Sequence, residues 1–150
     1  YGAVLVIGAT GGASDPTRPL AFLSGPHVAQ VQSLDALQTD SPASFDAAVA
    51  ARSGKPVLVS FKADWCTVCK SNEAIMEQSD IRRRLSAVPI IDVDVTKQDT
   101  GARELMDRFS VVGPPTLFLL DADGREIPGS RMIGPITADE IAGHLSQVGA

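Results

Sequence analysis

Apolar residues along the chain occur in two patterns, short continuous runs and longer segments with one apolar face. Short runs bounded by turn residues are typical of strands covered on both faces, whereas apolar residues three or four apart indicate helices. The pattern predicts strands over residues 28–33, 57–61, 88–95, 116–120 and 125–133. It predicts helices over residues 42–54, 66–85 with a break near residue 79, 102–109 and 137–148.

Capping and turn residues mark where several of these elements start and stop. Ser41 before a proline is typical of a helix start, and Thr137 followed three residues later by Glu140 forms a capping box. Residues 121–124 have the composition of a hairpin turn. The returning strand contains Pro128 and should lie at the sheet edge, because proline donates no ladder hydrogen bond.

The order of the predicted elements defines a fold class. Strands separated by helices form parallel pairs through right-handed crossovers, and the last two strands add an antiparallel hairpin. The expected class is therefore α/β, with a mixed central sheet, helices on both of its faces and a C-terminal antiparallel hairpin.

The first 27 residues differ from this regular body. Residues 1–10 carry no charge and are almost wholly apolar, but they are too few to cross a membrane alone. They fit either a short buried strand or the end of a transmembrane helix. Residues 11–27 resemble a linker. They contain a single basic residue, Arg18, and this low basic content favours a chain that leaves the membrane on its non-cytoplasmic side. We therefore expect residues 1–10 to end a transmembrane helix, residues 11–27 to link it, and residues 28–150 to form the domain.

Charge and cysteine content exclude several classes of protein. Thirteen Lys and Arg against 18 Asp and Glu give a net charge of -5, with scattered basic residues, so no nucleic-acid partner is expected. Two cysteines cannot form a disulfide-rich scaffold or a four-cysteine zinc site.

Those two cysteines, Cys66 and Cys69, form the one motif in the chain that carries chemistry. Cys66 lies where an apolar strand gives way to a helix, and the free N–H groups and dipole of a helix start stabilise a thiolate. Cysteines three apart on a helix share a face, so their sulfurs can meet. We expect Cys66 to be partly exposed and to attack, and Cys69, one turn deeper, to be nearly buried and to resolve the mixed disulfide.

Three other interpretations of the pair remain open. It can be half of a metal site, although His27 and His144 are far away in the sequence. It can also be an inert disulfide or a pair of buried apolar thiols. The position between strand and helix favours redox chemistry.

A family resemblance extends this interpretation. Residues 61–70, with the sequence FKADWCTVCK, resemble the active-site segment of the thioredoxin superfamily, and residues 113–116 resemble its cis-proline loop. More narrowly, the ADWC-x-x-CK core, Glu73 and the VDVT strand resemble the C-terminal domain of the DsbD family, bacterial inner-membrane thiol:disulfide interchange proteins.

The resemblance implies a thioredoxin-like domain that relays electrons on the periplasmic side of the inner membrane. The donor would be the protein's own transmembrane domain. The acceptors would be its own N-terminal domain or other periplasmic thiol proteins. No cofactor beyond the Cys66–Cys69 disulfide is implied. A cis bond between Pro114 and Pro115 would shape the groove beside the sulfurs. Trp65 would cover one side of the site. Asp64 belongs to the ADWC-x-x-CK motif that carries the resemblance.

One position departs from the superfamily pattern. The buried aspartate usually found on the strand six residues before the first cysteine is replaced by Ser60. Glu73 matches the family's helix acid and is the remaining candidate for proton exchange with Cys69. An exposed, solvated Glu73 is the simpler alternative.

Two further functions are compatible with the same residues. One is a membrane-anchored thioredoxin-like reductase for cytochrome c maturation. The other is a thioredoxin-fold binding or metal-handling module without turnover.

Overall fold

The computed structural model describes residues 35–52 and 54–150. In this part of the chain, five strands form one mixed sheet in the order β1-β3-β2-β4-β5. The strands are β1 (Ala36–Thr39), β2 (Val57–Lys62), β3 (Ile90–Asp94), β4 (Thr116–Leu120) and β5 (Met132–Ile133). The helices are α1 (Pro42–Ala51), α2 (Thr67–Met76), α3 (Ser79–Leu85), α4 (Thr100–Arg108) and α5 (Ala138–Gln147).

Strand directions match the class predicted from the sequence. β3 pairs in parallel with both β1 and β2, whereas β4 is antiparallel to β2 and β5 is antiparallel to β4. One face of the sheet packs against apolar residues of α1 and α4, including Phe45 and Leu105. The other face packs against α2, α3 and α5 through residues such as Met76, Ile81 and Leu145. The α/β class, with a mixed sheet and helices on both faces, is confirmed.

Side chains alternate between these two faces along β2. Val57, Val59 and Phe61 belong to the cluster beneath α1 and α4, whereas Leu58 belongs to the cluster beneath α2, α3 and α5. Because successive strand residues point to opposite faces, Ser60 lies on the same face as Leu58. This face packs against α2 through Met76, whereas Cys69, near the start of α2, belongs to the cluster beneath α1 and α4.

The predicted helix starts and the helix break are confirmed. Ser41 caps α1 and accepts a hydrogen bond from the Ser44 N–H, and Thr137 caps α5 by accepting one from the Glu140 N–H at 3.2 Å. The long apolar segment after Cys66 divides into α2 and α3, with the break between Met76 and Ser79. These features depend on local sequence, which explains why the pattern predicts them.

On its N-terminal side, the described part of the chain has a strand that the sequence does not predict. The strand expected over residues 28–33 lies outside the described residues, as do the segments 1–10 and 11–27. The first described strand is β1, four residues long, whose burial alternates only weakly. The sequence does not predict it, because such a short, half-exposed segment has no clear period of two.

The C-terminal hairpin is shorter than predicted. Its turn forms as expected, with the Asp121 N–H donating to the Arg125 carbonyl at 2.8 Å and Gly124 at a φ of 79°. The strand predicted over residues 125–133 is wrong over most of its length, since regular pairing with β4 is confined to β5. Pro128 has no N–H, and the buried Ser130 hydroxyl instead accepts the Leu119 N–H at 3.0 Å. β5 does lie at the sheet edge.

Candidate active site

Cys66 and Cys69 form a disulfide at the N-terminus of α2. Cys66 is the N-cap residue, and its Sγ accepts a hydrogen bond from the Cys69 N–H at 3.1 Å. That N–H is one of the first-turn donors that have no partner within a helix. The same contact can stabilise a thiolate on Cys66 after reduction, since an anionic sulfur accepts hydrogen bonds better than a neutral one.

Both cysteines are buried in this oxidised form. Cys66 is 6% exposed and Cys69 is 4% exposed, so the expectation that Cys66 would be partly exposed is wrong here. The disulfide and the bond from the Cys69 N–H turn the Cys66 sulfur back over the first turn of α2. Cys66 therefore belongs to the same buried apolar cluster as Phe61 and Ala63 instead of facing the loop surface.

Thr96, which follows β3, anchors the segment in front of Cys66. Its hydroxyl accepts the Asp64 N–H at 2.9 Å, and its carbonyl accepts the Trp65 indole N–H at 3.3 Å. Asp94 holds Thr96 in place by accepting hydrogen bonds from its N–H and its hydroxyl. Partial burial acts to raise the pKa of Asp94, but these two bonds and the charges of Lys62 and Lys97 outweigh it and lower the pKa below its ordinary value.

Trp65 itself is 56% exposed beside the disulfide. Its position is fixed by the bond to Thr96, while its ring remains available to another molecule. Half-exposed aromatic rings with one anchored end are common where proteins dock.

A chain of charged side chains runs beneath α2. The Lys62 ammonium lies 2.7 Å from the carboxylate of Asp92 and 3.2 Å from that of Glu73. Burial acts to lower the pKa of Lys62, but hydrogen bonds and charge from Asp92, followed by those from Glu73, outweigh it and raise the pKa above its ordinary value. Gln38 donates a further hydrogen bond to Asp92 at 2.8 Å. Lys62 therefore remains cationic at neutral pH.

Asp92 supplies a buried carboxylate close to the position where the superfamily pattern has one. The parallel register of β2 and β3 pairs Ser60 with Asp92, and both residues are 6% exposed. The Glu73 side chain, by contrast, is 44% exposed. Sequence reasoning identified Ser60 and Glu73 but missed Lys62 and Asp92, because strand register is not visible in local patterns.

The Pro114–Pro115 bond is cis, as the sequence predicts. The antiparallel register pairs Phe61 with Thr116, so Pro115, just before β4, lies near the end of β2 that leads towards Cys66. The loop borders a groove of about 310 Å³ lined by residues 110–116, Arg131, Ile133 and Gly134. Val112 is 98% exposed and Ile133 is 73% exposed, which leaves apolar surface next to the groove.

Arg131 fixes one wall of this groove. Its guanidinium binds the Glu126 carboxylate through two nitrogens, at 2.9 and 2.6 Å, and donates to the Phe109 carbonyl at 2.8 Å. The guanidinium also lies 4.9 Å from the centre of the Phe118 ring. A planar cation held by a carboxylate, a carbonyl and an aromatic face has little freedom to move.

The redox group of the site belongs to the chain itself, as the Cys66–Cys69 disulfide. Across residues 35–52 and 54–150, no three His, Cys, Asp or Glu side chains come together to hold a metal ion. Among the helices of that same part of the chain, none is both long enough and apolar enough to span a membrane.

The fold and the disulfide at a helix N-terminus define a thioredoxin-like thiol:disulfide oxidoreductase. Residues 36–147 match the family model described as thioredoxin, and the chain belongs to the thioredoxin family. It is 35% identical to the thiol:disulfide interchange protein DsbD of Pseudomonas fluorescens, over 98% of this chain and 26% of that protein. It is 32% identical to DsbD 2 of Pseudomonas aeruginosa, over 96% of this chain and 26% of that protein.

Solved structures show the same fold. The reduced C-terminal domain of Neisseria meningitidis DsbD has a TM-score of 0.60 and 27% identity, covering 71% of this chain and 91% of that one. Thioredoxin from Fasciola hepatica has a TM-score of 0.60 at 20% identity, covering 75% of this chain and 98% of that one, and shows likeness in fold alone. The chain spans about a quarter of the length of the DsbD proteins that it matches.

Proposed function

We propose that this domain relays electrons by dithiol/disulfide exchange from the membrane domain of a DsbD-like protein to periplasmic partner proteins. The observation that carries the proposal is the Cys66–Cys69 disulfide at the start of α2, on a chain that resembles DsbD over nearly all of its length. The domain would face the periplasm at the bacterial inner membrane. Its acceptors would be the protein's own N-terminal domain or other periplasmic thiol proteins.

Cys66 would act as the attacking thiol. Its thiolate attacks one sulfur of the partner's disulfide, that S–S bond breaks, and one partner thiolate leaves. Cys69 then loses its proton and attacks Cys66 Sγ, which releases the second partner thiolate and closes the Cys66–Cys69 disulfide. The partner gains two electrons and two protons, and the domain is oxidised by the same two electrons.

Glu73 would exchange the proton of Cys69 during this second step. It lies four residues beyond Cys69 on α2, a spacing that places both on one helical face. The 3.2 Å contact with Lys62 connects Glu73 to the buried Asp92 and fixes its direction. On this proposal, Glu73→Gln slows resolution of the mixed disulfide more than it slows the initial attack by Cys66.

The groove beside Pro115 would hold the partner's chain. Pro114 and Pro115 line it, and the exposed Val112 and Ile133 offer apolar contacts along it. Exposed apolar patches of this kind are typical of surfaces that dock proteins.

The test is electron transfer by the reduced 150-residue chain to the oxidised N-terminal domain of a DsbD protein. We expect stoichiometric oxidation of Cys66 and Cys69 as the partner's disulfide is reduced, followed by thiol labelling and mass spectrometry. Downhill flow of electrons that originate on thioredoxin requires a reduction potential above about −270 mV, the value for thioredoxin. Absence of transfer, or a titration against glutathione that places the pair below this value, would contradict the proposal.

A further inference from the structure

The buried side chain of Asn72 joins the helix that carries Cys69 to the wall of the groove. Asn72 lies on α2 and is 2% exposed. Its Nδ2 donates to the Gly134 carbonyl at 2.9 Å, and its Oδ1 accepts the Ile136 N–H at 3.1 Å. Both partners are backbone groups of one segment, so the single amide fixes that segment through a donor and an acceptor.

Gly134 extends this connection to the cis-proline loop. Its N–H donates to the Pro115 carbonyl at 3.1 Å, while its own carbonyl accepts the Asn72 amide. Gly134 has a φ of 86°, in the left-handed region that favours glycine. One residue therefore spans the distance between Pro115 and the active-site helix.

The other end of the connection is the disulfide. Asn72 follows Cys69 by three residues on α2, and residues three apart on a helix are neighbours on its surface. The Cys69 N–H in turn donates to Cys66 Sγ at 3.1 Å. A hydrogen-bonded helical turn is stiff, so the Asn72 amide sets the spacing between the two sulfurs and the groove.

We propose that Asn72 is a positioning residue for partner docking. It holds the wall formed by Ile133 and Gly134 at a fixed distance from the cysteines, so that a chain lying in the groove brings its sulfur into line with Cys66. The inference rests on the proposed function. Its physical basis is that a small misplacement of reacting atoms strongly slows a reaction whose geometry must be in line.

Two variants separate positioning from simple stability. Asn72→Asp keeps the acceptor for the Ile136 N–H but places an oxygen against the Gly134 carbonyl. Asn72→Ala removes both bonds and adds no charge, and it provides the same comparison if the aspartate variant does not fold. Thr39→Val is the matched control. Thr39 lies on β1, the strand at the opposite edge of the sheet, and the variant removes its buried hydrogen bond of 3.0 Å to the Asp92 carbonyl.

Three quantities are measured on the 150-residue chain. The first is the single-turnover rate at which the reduced chain transfers its two electrons to the oxidised N-terminal domain of a DsbD protein, measured over a range of partner concentrations to give a maximal rate and a half-saturating concentration. The second is the rate at which dithiothreitol reduces the Cys66–Cys69 disulfide, since this small thiol does not need the groove. The third is the reduction potential of the pair.

We expect both Asn72 variants to lower the maximal rate of transfer to the protein partner about tenfold, because the partner sulfur is no longer aligned with Cys66. The half-saturating partner concentration and the dithiothreitol rate should stay within about twofold of the wild type, and the potential should be unchanged. Thr39→Val should lower the urea midpoint and leave all three quantities near the wild-type values. Equal slowing with dithiothreitol and with the protein partner, or an unchanged maximal rate, would overturn the inference. If the wild-type chain itself transfers no electrons, the proposed function fails and this inference fails with it.

Discussion

Asp92 of β3 lies directly beside Ser60 of β2, on the face of the sheet that packs against α2, α3 and α5. The carboxylate is nearly buried, with its side chain 8% exposed, and it accepts hydrogen bonds from Lys62 and Gln38. The carboxylate that Ser60 cannot provide on β2 is thus present on β3, on the residue paired with Ser60.

This placement predicts that replacing Asp92 lowers the stability of the protein more than replacing Glu73. Asp92→Asn should lower the free energy of unfolding by about 1–3 kcal/mol, because it removes a buried, charge-assisted partner of Lys62. Glu73→Gln breaks a 3.2 Å contact whose acidic side chain is 44% exposed, and it should cost less than about 1 kcal/mol. Urea denaturation of the oxidised proteins measures both. Equal costs would show that burial of Asp92 has no energetic consequence.

The same ion pairs predict a loss of stability at alkaline pH. Since the pKa of Lys62 is higher in the folded state, its contribution to stability is fully present below its unfolded pKa, about 10.4, and is lost as the pH rises through the folded value. The free energy of unfolding should therefore fall above about pH 10. Lys62→Met should flatten this fall, whereas Lys70→Met, which removes an exposed charge on α2, should not. Parallel alkaline curves for wild type and Lys62→Met would contradict the prediction.

The two cysteines should give different products when each is replaced. Cys69→Ser should accumulate a mixed disulfide between Cys66 and the partner, because no second thiol remains to resolve it. Cys66→Ser should show no exchange above background. Non-reducing electrophoresis and mass spectrometry identify the products, and the double serine variant serves as the control. In the reduced wild-type protein, equal rates of alkylation at the two thiols would count against this assignment.

Thr96→Val tests the anchor of the segment in front of Cys66. The variant loses the hydroxyl bonds to the Asp64 N–H and to Asp94, and at pH 7 it should be less stable by about 0.5–1.5 kcal/mol. Because the pKa of Asp94 is lowered in the folded state, its contribution to stability is present above about pH 4 and is lost as the pH falls through the folded value. The difference between wild type and variant should therefore shrink below about pH 4 in urea titrations. A difference that stays constant with pH would show that Asp94 does not act through Thr96.

Most of the elements and the reactive pair follow from local patterns in the sequence. Apolar runs, the Ser41 and Thr137 caps and the 121–124 turn act over a few residues, so their consequences are readable without a structure. The position of Cys66 at the end of a strand and the start of a helix is a local property of the same kind. The family motif added the cis bond before Pro115.

How distant residues meet around that pair depends on the folded arrangement of strands and helices. The register of β2 and β3 places Asp92 beside Ser60, and the packing of α2 brings Asn72 to Gly134 and Ile136. Burial of Cys66 likewise follows from its place in the apolar cluster that includes Phe45 of α1 and Leu105 of α4. Such contacts join residues tens of positions apart, and they depend on register and helix packing, which no local pattern of polar and apolar residues encodes.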